Sequence, residues 1–313
     1  MSITRRQFAI GAGTAMAAAS LAGYGLRGRS AYAGSDAGSN GGGGSAGFSE
    51  GLAGDLAKIE RESGGRLGVA VLDTLTGARS GHRSDERFPM CSTFKMLAAG
   101  AVLSRVDAGK ERLDRRIRFE AHDLMAYSPV TKDRVGGDGM NVSELCEAAM
   151  TWSDNTAANL LLASMGGPAG LTEFARSIGD TTTRLDRIEP ELNEAVPGDL
   201  RDTTTPAAML GNLRTFVLGT ALSEASRDQL TRWLVANKTG DARLRAGLPK
   251  GWRVGDKTGS GERGTANDVG IAWPPNRAPV IVTAYLTETS GTGGQRDAAL
   301  AAVGRAVAAA LEG

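Results

Sequence analysis

The sequence predicts an α/β fold in which one antiparallel sheet, flanked by helices, is built from both ends of the chain, with an all-helical lobe inserted. Two observations favour this fold. Strand patterns cluster near the two ends, after residue 65 and after residue 251, whereas about residues 91–232 show helical patterns and loops. Strands so far apart in sequence can share one sheet if the helices between them form a lobe of their own.

The N-terminal part of the sheet is predicted from a helix followed by two strands. Residues 49–62 are helical in pattern, and residues 66–74 alternate as a strand does. The alternating apolar residues of this strand are Leu67, Val69 and Val71. Thr76-Gly77 then predicts the turn into the neighbouring strand.

The C-terminal part supplies three more strands and a closing helix. Strands are predicted over residues 252–259, 268–273 and 279–287. Pro274-Pro275-Asn276 marks the turn between the last two, because proline and asparagine favour turns. An Ala-rich helix is predicted over residues 295–311.

The composition argues against two classes of partner. The 313-residue chain has 36 Lys and Arg residues against 35 Asp and Glu residues, a formal net charge of +1. This balance gives no electrostatic attraction to nucleic acid or to an anionic membrane surface. With 41% hydrophobic residues, the chain can bury the core of one large domain or of two compact lobes.

The first residues predict export. Thr4-Arg5-Arg6-Gln7-Phe8 is a twin-arginine pattern, and a weakly apolar stretch leads from it to Ala31-Tyr32-Ala33, a signal-peptidase pattern. We therefore expect residues 1–33 to be a signal peptide read by the twin-arginine export machinery. The product would be periplasmic, in the cell envelope or extracellular. The apolar stretch is too short and too weak for a stable membrane span.

The remaining chain divides into a linker and a folded domain. Residues 34–47 are rich in Gly and Ser and predict a flexible linker. Residues 48–313 form the domain. Its α/β lobe is expected at about residues 48–85 and 233–313, and its helical lobe at about residues 86–232.

Ser92-Thr93-Phe94-Lys95 is the first chemically informative motif. Residues i and i+3 of a helix share a face, so Ser92 and Lys95 meet if a helix starts at Ser92. The apolar run 96–103 indicates that this helix is buried. A serine needs a nearby base to become a nucleophile, and burial favours the neutral amine of a lysine. A capping serine followed by a solvent-exposed lysine is the alternative for an isolated motif.

Two further polar motifs follow in order. Ser153-Asp154-Asn155 lies between two helical patterns, the first of which opens with the capping residue Asn141. Lys257-Thr258-Gly259 ends a strand pattern and offers a charge, a hydroxyl donor and close backbone approach to an anionic ligand. Alone, the two motifs would be a turn and a solvated edge strand. Together with the first motif, they indicate an enzyme that acylates its own serine.

These motifs resemble those of the class A serine β-lactamases, and the resemblance covers about residues 48–313. It implies hydrolysis of β-lactam antibiotics through an acyl-enzyme, which confers resistance. It also implies an active site in a cleft between the two lobes and a monomeric protein.

The resemblance assigns roles to the motif residues. Ser92 would be acylated, Lys95 would transfer protons, and Ser153 would protonate the β-lactam nitrogen. Asn155 would bind the substrate's side-chain amide, and the substrate carboxylate would contact the Lys257-Thr258-Gly259 strand. The backbone N–H groups of Ser92 and Ser260 would form the oxyanion hole.

A fourth segment carries the prediction of turnover. In Arg187-Ile188-Glu189-Pro190-Glu191-Leu192-Asn193, the pair Glu189 and Asn193 resembles the family's pair that directs a water molecule at the acyl-enzyme. A carboxylate within reach of that water is a suitable base. The charged, proline-containing loop from Arg184 to Asp202 would otherwise be a solvated Ω-loop. The family closes this loop with an ion pair, for which Arg187 and Asp202 are in the matching places.

The resemblance also suggests residues that border the substrate. Tyr127 matches an aromatic residue of the cleft wall. The family needs a guanidinium near the carboxylate pocket, and Ala266 stands where many members have it. Arg243 matches an alternative position, and Arg296 is a second candidate.

No cofactor is expected. His82 and His122 have no ligand-like spacing with other His, Cys or Asp residues, which argues against a zinc-dependent lactamase. Cys91 and Cys146 are the only cysteines. Positions that pair with them in some relatives hold Gly261 and Ala99 here, so we expect two free, buried thiols.

Two other functions share the acylating motifs. A DD-peptidase or transpeptidase would lack the Glu189–Asn193 pair. A penicillin-sensing receptor domain would acylate and stay acylated, and it would normally follow transmembrane helices.

Overall fold

The computed structural model describes the backbone of residues 42–312 and the side chains of residues 50–312. The predicted signal peptide and most of the predicted linker lie outside the described residues. The strands are β1 (Arg66–Asp73), β2 (Arg79–His82), β3 (Phe88–Pro89), β4 (Arg116–Ile117), β5 (Met140–Asn141), β6 (Thr203–Thr204), β7 (Arg253–Ser260), β8 (Ala266–Trp273) and β9 (Val280–Thr287).

The helices of the described region lie mostly between β3 and β7. The α-helices are α1 (Gly42–Ser63), α2 (Phe94–Asp107), α3 (Val142–Thr151), α4 (Asn155–Ser164), α5 (Gly167–Ser177), α6 (Pro206–Val217), α7 (Glu224–Val235), α8 (Leu244–Gly247) and α9 (Gly293–Glu312). Short 3-10 helices occur at Cys91–Thr93, Ala121–Asp123, Thr131–Arg134 and Glu191–Asn193.

The main sheet confirms the predicted α/β fold. Its five strands are antiparallel in the order β2-β1-β9-β8-β7, so strands from the two ends of the chain pair directly. The β1–β9 register runs from Arg66 opposite Thr287 to Asp73 opposite Val280. Strand β7 lies at one edge of the sheet, beside the helices of the middle of the chain.

Both faces of the sheet are covered, and β1 shows why its sequence is so apolar. Val69 and Val71 pack in one core with α1 and α9, whereas Ala70 and Leu72 belong to a second core with the inserted helices. A strand with two buried faces needs apolar residues at consecutive positions rather than at alternate ones.

Helix α2 is the centre of the inserted helices. All ten residues from Phe94 to Leu103 are buried. Gly100 allows the ring of Phe216 to approach, because a Cβ atom at this position would lie 2.7 Å from the ring. This packing fixes the helix that begins directly after Ser92.

Two predicted helix starts differ from the structure. Helix α1 begins at Gly42 rather than at residue 49, so residues 42–47 of the predicted linker are helical; extending an existing helix costs less than starting one. Helix α2 begins at Phe94 rather than at Ser92, which lies in a 3-10 turn and does not cap the helix. Asn141 caps α3 as predicted.

The carboxylate of Glu60 connects α1 to the first two strands. It accepts hydrogen bonds from the Leu67 backbone N–H at 3.0 Å, from His82 at 2.8 Å and from Arg83 at 2.7 Å. Burial alone would raise the pKa of Glu60, but the hydrogen bonds from Arg83, Leu67 and His82 outweigh it and lower the pKa to about 2.

We predict that Glu60→Gln lowers the free energy of unfolding at pH 7 by about 1–3 kcal/mol. Because the pKa of Glu60 is lower in the folded state than its ordinary value of 4.5, its contribution is complete above that value. The contribution is lost as the pH falls toward the folded-state pKa. Urea unfolding of parent and variant at pH 7 and pH 3 should therefore give a smaller difference at pH 3.

Glu62→Gln is the matched control, because Glu62 is an exposed residue of the same helix whose distance to Lys58 is 3.9 Å. It should change stability little at either pH. An equal effect of Glu60→Gln at both pH values would contradict the role given to the charge.

Candidate active site

Ser92 lies in the 3-10 turn that leads into α2, at the junction between the sheet and the helices. The preceding residue, Cys91, has a positive φ of 45°, which turns the chain sharply. Ser92 Oγ accepts a hydrogen bond from Lys95 Nζ at 2.9 Å. The predicted meeting of these two side chains is therefore present, although the α-helix starts two residues later than predicted.

Lys95 is buried among oxygen acceptors. Beside Ser92 Oγ, its Nζ lies 2.6 Å from Asn155 Oδ1, 2.8 Å from the Ser153 carbonyl and 2.9 Å from Glu189 Oε1. Burial lowers the pKa of Lys95, and the charge of Glu189 acts in the opposite direction. Lys95 and Glu189 thus form an ion pair in which neither side chain has exposed surface.

The Ser153-Asp154-Asn155 loop reaches Lys95 from the next pair of helices. Asp154 holds the loop in place: its carboxylate caps α4 through the Ala157 N–H and accepts hydrogen bonds from the N–H groups of Val130 and Thr131. Ser153 has a positive φ of 59°. This sharp turn lets two residues of one short loop contact the same ammonium group.

Lys257 approaches Ser153 from strand β7. Its fully buried Nζ donates hydrogen bonds to Ser153 Oγ at 3.0 Å and to the Thr258 carbonyl at 2.9 Å. Burial lowers the pKa of Lys257 well below its ordinary value, and the charge of Lys95 lowers it further. Two lysines therefore flank one serine hydroxyl.

Glu189 completes the cluster from the loop between residues 184 and 202. Its Oε1 accepts a hydrogen bond from Ser92 Oγ at 3.1 Å, and its Oε2 accepts one from Asn193 Nδ2. Glu189 therefore contacts Ser92 directly. The other amide atom of Asn193, Oδ1, is buried and has no protein partner among the described residues.

Two sets of contacts hold this loop. The side-chain amide of Asn159, in α4, makes two hydrogen bonds with the Glu189 backbone: Nδ2 donates to the Glu189 carbonyl and Oδ1 accepts from the Glu189 N–H, each at 2.9 Å. The expected ion pair between Arg187 and Asp202 is present at 2.6 Å, and Asp202 also accepts a hydrogen bond from the Arg187 N–H. The loop is therefore fixed both by the Arg187–Asp202 ion pair and at Glu189.

The cluster opens into a cleft with a volume of about 380 Å³. Its lining residues are Ser92, Tyr127, Ser153, Asn155, Asn193, Thr239, Arg243, Thr258, Gly259 and Ser260. Tyr127 borders the cleft and is half exposed. Gly259 allows β7 to lie close to the Ser92 turn, because a Cβ atom there would be 2.8 Å from the Met90 carbonyl.

Of the two candidate arginines, Arg243 lies at this cleft. Its guanidinium donates hydrogen bonds to the Gly259 carbonyl at 2.8 Å and to Ser260 Oγ at 2.7 Å, and pairs with Asp297 at 2.8 Å. Arg296 lines a different cavity, between α1 and α9. Ala266 is buried opposite Ser260 in the β7–β8 pair.

Three residues of the site were not found from the sequence: Asp154 as the anchor of its loop, Asn159 as the clamp on Glu189, and Thr239 in the cleft wall. Asp154 stood in a recognised motif, and a position before an apolar helical run could have indicated its capping role. Asn159 and Thr239 have no local sequence signal, because their partners lie on distant segments.

The cysteines and histidines take no part in this site's hydrogen bonds. Cys91 and Cys146 are free and buried, and burial raises the pKa of both thiols. Within residues that the structure describes, no group of His, Cys, Asp and Glu could hold a metal ion, and no helix is long and apolar enough to span a membrane.

Comparisons with known proteins agree with this geometry. A model of the β-lactamase enzyme family matches residues 51–311. Beta-lactamase CTX-M-8 of Citrobacter amalonaticus is 51% identical over 252 residues, which are 80% of this chain and 86% of that protein. The chain belongs to the class A β-lactamases.

Other relatives support the same assignment. Beta-lactamase AST-1 of Nocardia asteroides is 52% identical over 255 residues, 82% of either chain. The solved structure of an ancestral class A β-lactamase, GNCA, is 68% identical with a TM-score of 0.82, covering 83% of this chain and 99% of that one. This β-lactamase therefore has the family's fold and its activity, the hydrolysis of β-lactams that gives antibiotic resistance, rather than the peptidase or receptor function.

Proposed function

We propose that this β-lactamase opens its substrates by acylating Ser92 and is regenerated by water that Glu189 activates. One observation carries the proposal. Ser92 Oγ lies within hydrogen-bonding distance of both a buried amine, Lys95 at 2.9 Å, and a buried carboxylate, Glu189 at 3.1 Å. A serine between two proton-transfer groups can lose its proton to become a nucleophile, and it can regain a proton when it departs as the leaving group.

In the acylation half, Ser92 Oγ attacks the carbonyl carbon of the β-lactam and loses its proton to Glu189 or Lys95. The backbone N–H groups of Ser92 and Ser260 bind the oxyanion. The C–N bond of the ring then breaks, and the nitrogen takes a proton from Ser153. Lys257 at 3.0 Å and Lys95 at 3.4 Å from Ser153 Oγ support that role, since either can return a proton to it.

Substrate binding uses the walls of the cleft. Asn155 holds the side-chain amide of the substrate, and Tyr127 borders it. The substrate carboxylate binds at Lys257, Thr258 and Gly259, with Ser260 and Arg243 at the same end. The contacts of Arg243 with Gly259 and Ser260 support it, rather than Arg296, as the guanidinium of this pocket.

In the deacylation half, a water molecule attacks the ester carbonyl and gives its proton to Glu189; the bond between the carbonyl carbon and Ser92 Oγ then breaks, and Ser92 Oγ takes a proton from Glu189 or Lys95. Asn193 binds Glu189 Oε2 through its amide nitrogen and offers its unpartnered oxygen to the water. Glu189 is the only carboxylate within 4 Å of Lys95 among the ion pairs of the described residues.

We predict that Glu189→Ala is still acylated but deacylates at least about 100-fold more slowly. Removing the carboxylate leaves the buried Lys95 without its counter-charge, which favours the neutral amine that can take the Ser92 proton. Mixing the variant with nitrocefin should give one stoichiometric burst, and intact mass should show a persistent adduct.

The control is Glu191→Ala, which removes an exposed carboxylate two residues along the same loop and should turn over as the parent does. Rapid product release by Glu189→Ala would remove Glu189 from its role. Failure of Glu189→Ala to form any adduct would show that Lys95 cannot replace it in acylation.

The proposal includes export by the twin-arginine route, with cleavage after Ala33. The Arg5-Arg6 pair and the Ala31-Tyr32-Ala33 pattern support it. N-terminal sequencing of the exported enzyme should begin at Gly34, and Arg5→Lys with Arg6→Lys should leave activity in the cytoplasm. Export of the double variant, or an intact Met1 in the exported protein, would contradict this route.

The enzyme is proposed to act as a monomer. The groups proposed to react, those of Ser92, Lys95, Ser153 and Glu189, contact one another within a single chain, which supports this proposal. Light scattering of the purified enzyme should give the mass of a single chain at the concentrations used for assay.

A further inference from the structure

The carboxylate end of the cleft contains a hydroxyl pair in which Thr258 belongs to a family motif and its partner, Thr239, does not. Thr239 Oγ1 lies 2.5 Å from Thr258 Oγ1, and both residues line the cleft. Thr239 Oγ1 also lies 2.9 Å from Asn237 Oδ1. A separation this short between two hydroxyl oxygens requires a hydrogen between them, and each hydroxyl has only one to give.

The Asp256 carboxylate fixes the orientation of the Asn237 amide. Its Nδ2 donates to Asp256 Oδ1 at 2.6 Å, and the same carboxylate oxygen accepts from Arg245 at 2.8 Å. Because a carboxylate paired with an arginine only accepts hydrogen bonds, the amide nitrogen of Asn237 must face it. The Asn237 oxygen therefore faces Thr239, where it also accepts the Thr239 backbone N–H at 3.1 Å.

Counting hydrogens leaves two arrangements for this chain of groups. In the first, Thr239 donates to Asn237 and Thr258 donates to Thr239, so the Thr258 hydrogen points away from the cleft. In the second, Thr239 donates to Thr258, and the Thr258 hydrogen is free to point into the cleft. The Asn237 oxygen keeps the Thr239 N–H in both arrangements, so changing between them leaves no buried acceptor unpaired.

We propose that Thr239 is a positioning residue for substrate recognition, which turns the Thr258 hydroxyl toward the carboxylate of the bound β-lactam. A carboxylate accepts hydrogen bonds and cannot donate them, so it selects the second arrangement. In that arrangement the Thr258 oxygen accepts from Thr239 while it donates to the anion, and such chains strengthen each member. The inference rests on the proposed role of Thr258 in carboxylate binding.

The geometry predicts the consequence of removing the hydroxyl. Thr239→Val replaces the hydroxyl by a methyl group of similar size, but a methyl group cannot stay 2.5 Å from an oxygen. Contact between such atoms requires about 3.5–4.0 Å. The Thr258 side chain must therefore move, and its oxygen loses the donor that supports it during carboxylate binding.

The test compares an anionic substrate with its neutral counterpart. Stopped-flow acylation in the Glu189→Ala background, where the adduct accumulates, gives the dissociation constant and the acylation rate constant separately. For nitrocefin, Thr239→Val should raise the dissociation constant about 5- to 20-fold and change the acylation rate constant less than about twofold. For nitrocefin methyl ester, which has no carboxylate, the dissociation constant should change less than about twofold.

Thr239→Ser keeps the hydroxyl and should bring the dissociation constant for nitrocefin back to within about twofold of the parent. Equal losses for the acid and the ester, or no loss for the acid, would overturn the proposal. If Thr239→Val fails to fold by circular dichroism, a Thr239→Ala variant is measured in its place with the same expectations.

Thr258→Val separates this inference from the function on which it rests. It should weaken binding of nitrocefin but not of the methyl ester. If Thr258→Val leaves nitrocefin binding intact, the carboxylate role of Thr258 is wrong whatever Thr239 does. If Thr258→Val weakens binding and Thr239→Val does not, only the positioning role is wrong.

Discussion

The structure depends on a buried ion pair between Lys95 and Glu189, whose nitrogen and oxygen lie 2.9 Å apart with Ser92 beside them. Removing two charges from water costs several kcal/mol for each ion, and their attraction offsets this cost only when further hydrogen bonds complete both groups. Here Asn155 and the Ser153 carbonyl complete the ammonium, and Asn193 completes the carboxylate. The pair is thus a constraint that the surrounding segments must satisfy together.

Three segments distant in sequence meet that constraint, and each is held by contacts away from the reacting atoms. Helix α2 is fixed by its buried residues, the Ser153 loop by the Asp154 carboxylate, and the Glu189 loop by Asn159 and the Arg187–Asp202 pair. Polar anchors suit the two loops because few of their backbone groups bond to regular structure: the Asp154 N–H bonds to the Ala148 carbonyl of α3 and the Arg184 N–H to the Thr203 carbonyl of β6. Rigid support of this kind keeps catalytic groups within the small tolerances that chemistry needs.

The sequence was sufficient for the fold class, for one antiparallel sheet built from both chain ends and for the residues that surround Ser92, because each was contained in a pattern or motif. It was less informative where partners are distant. The predicted start of α2 was wrong, because residues i and i+3 lie on the same side of a 3-10 turn just as they do on an α-helix. Asn159 and Thr239 are short polar residues whose importance comes only from what the fold brings against them. Only the three-dimensional structure could show which of Arg243 and Arg296 lies at the cleft.

Strand β7 shows how one segment can serve two tasks through its period of two. Lys257 and Gly259 face the Ser92 turn and the Ser153 loop, whereas Asp256, Thr258 and Ser260 face residues 237–245. Because successive side chains of a strand point to opposite sides, the Lys257 amine contacts the Ser153 loop, whereas the hydroxyls of Thr258 and Ser260 contact Thr239 and Arg243. Changes in residues 237–245 can therefore alter recognition of the carboxylate while the Lys95–Glu189 pair stays in place.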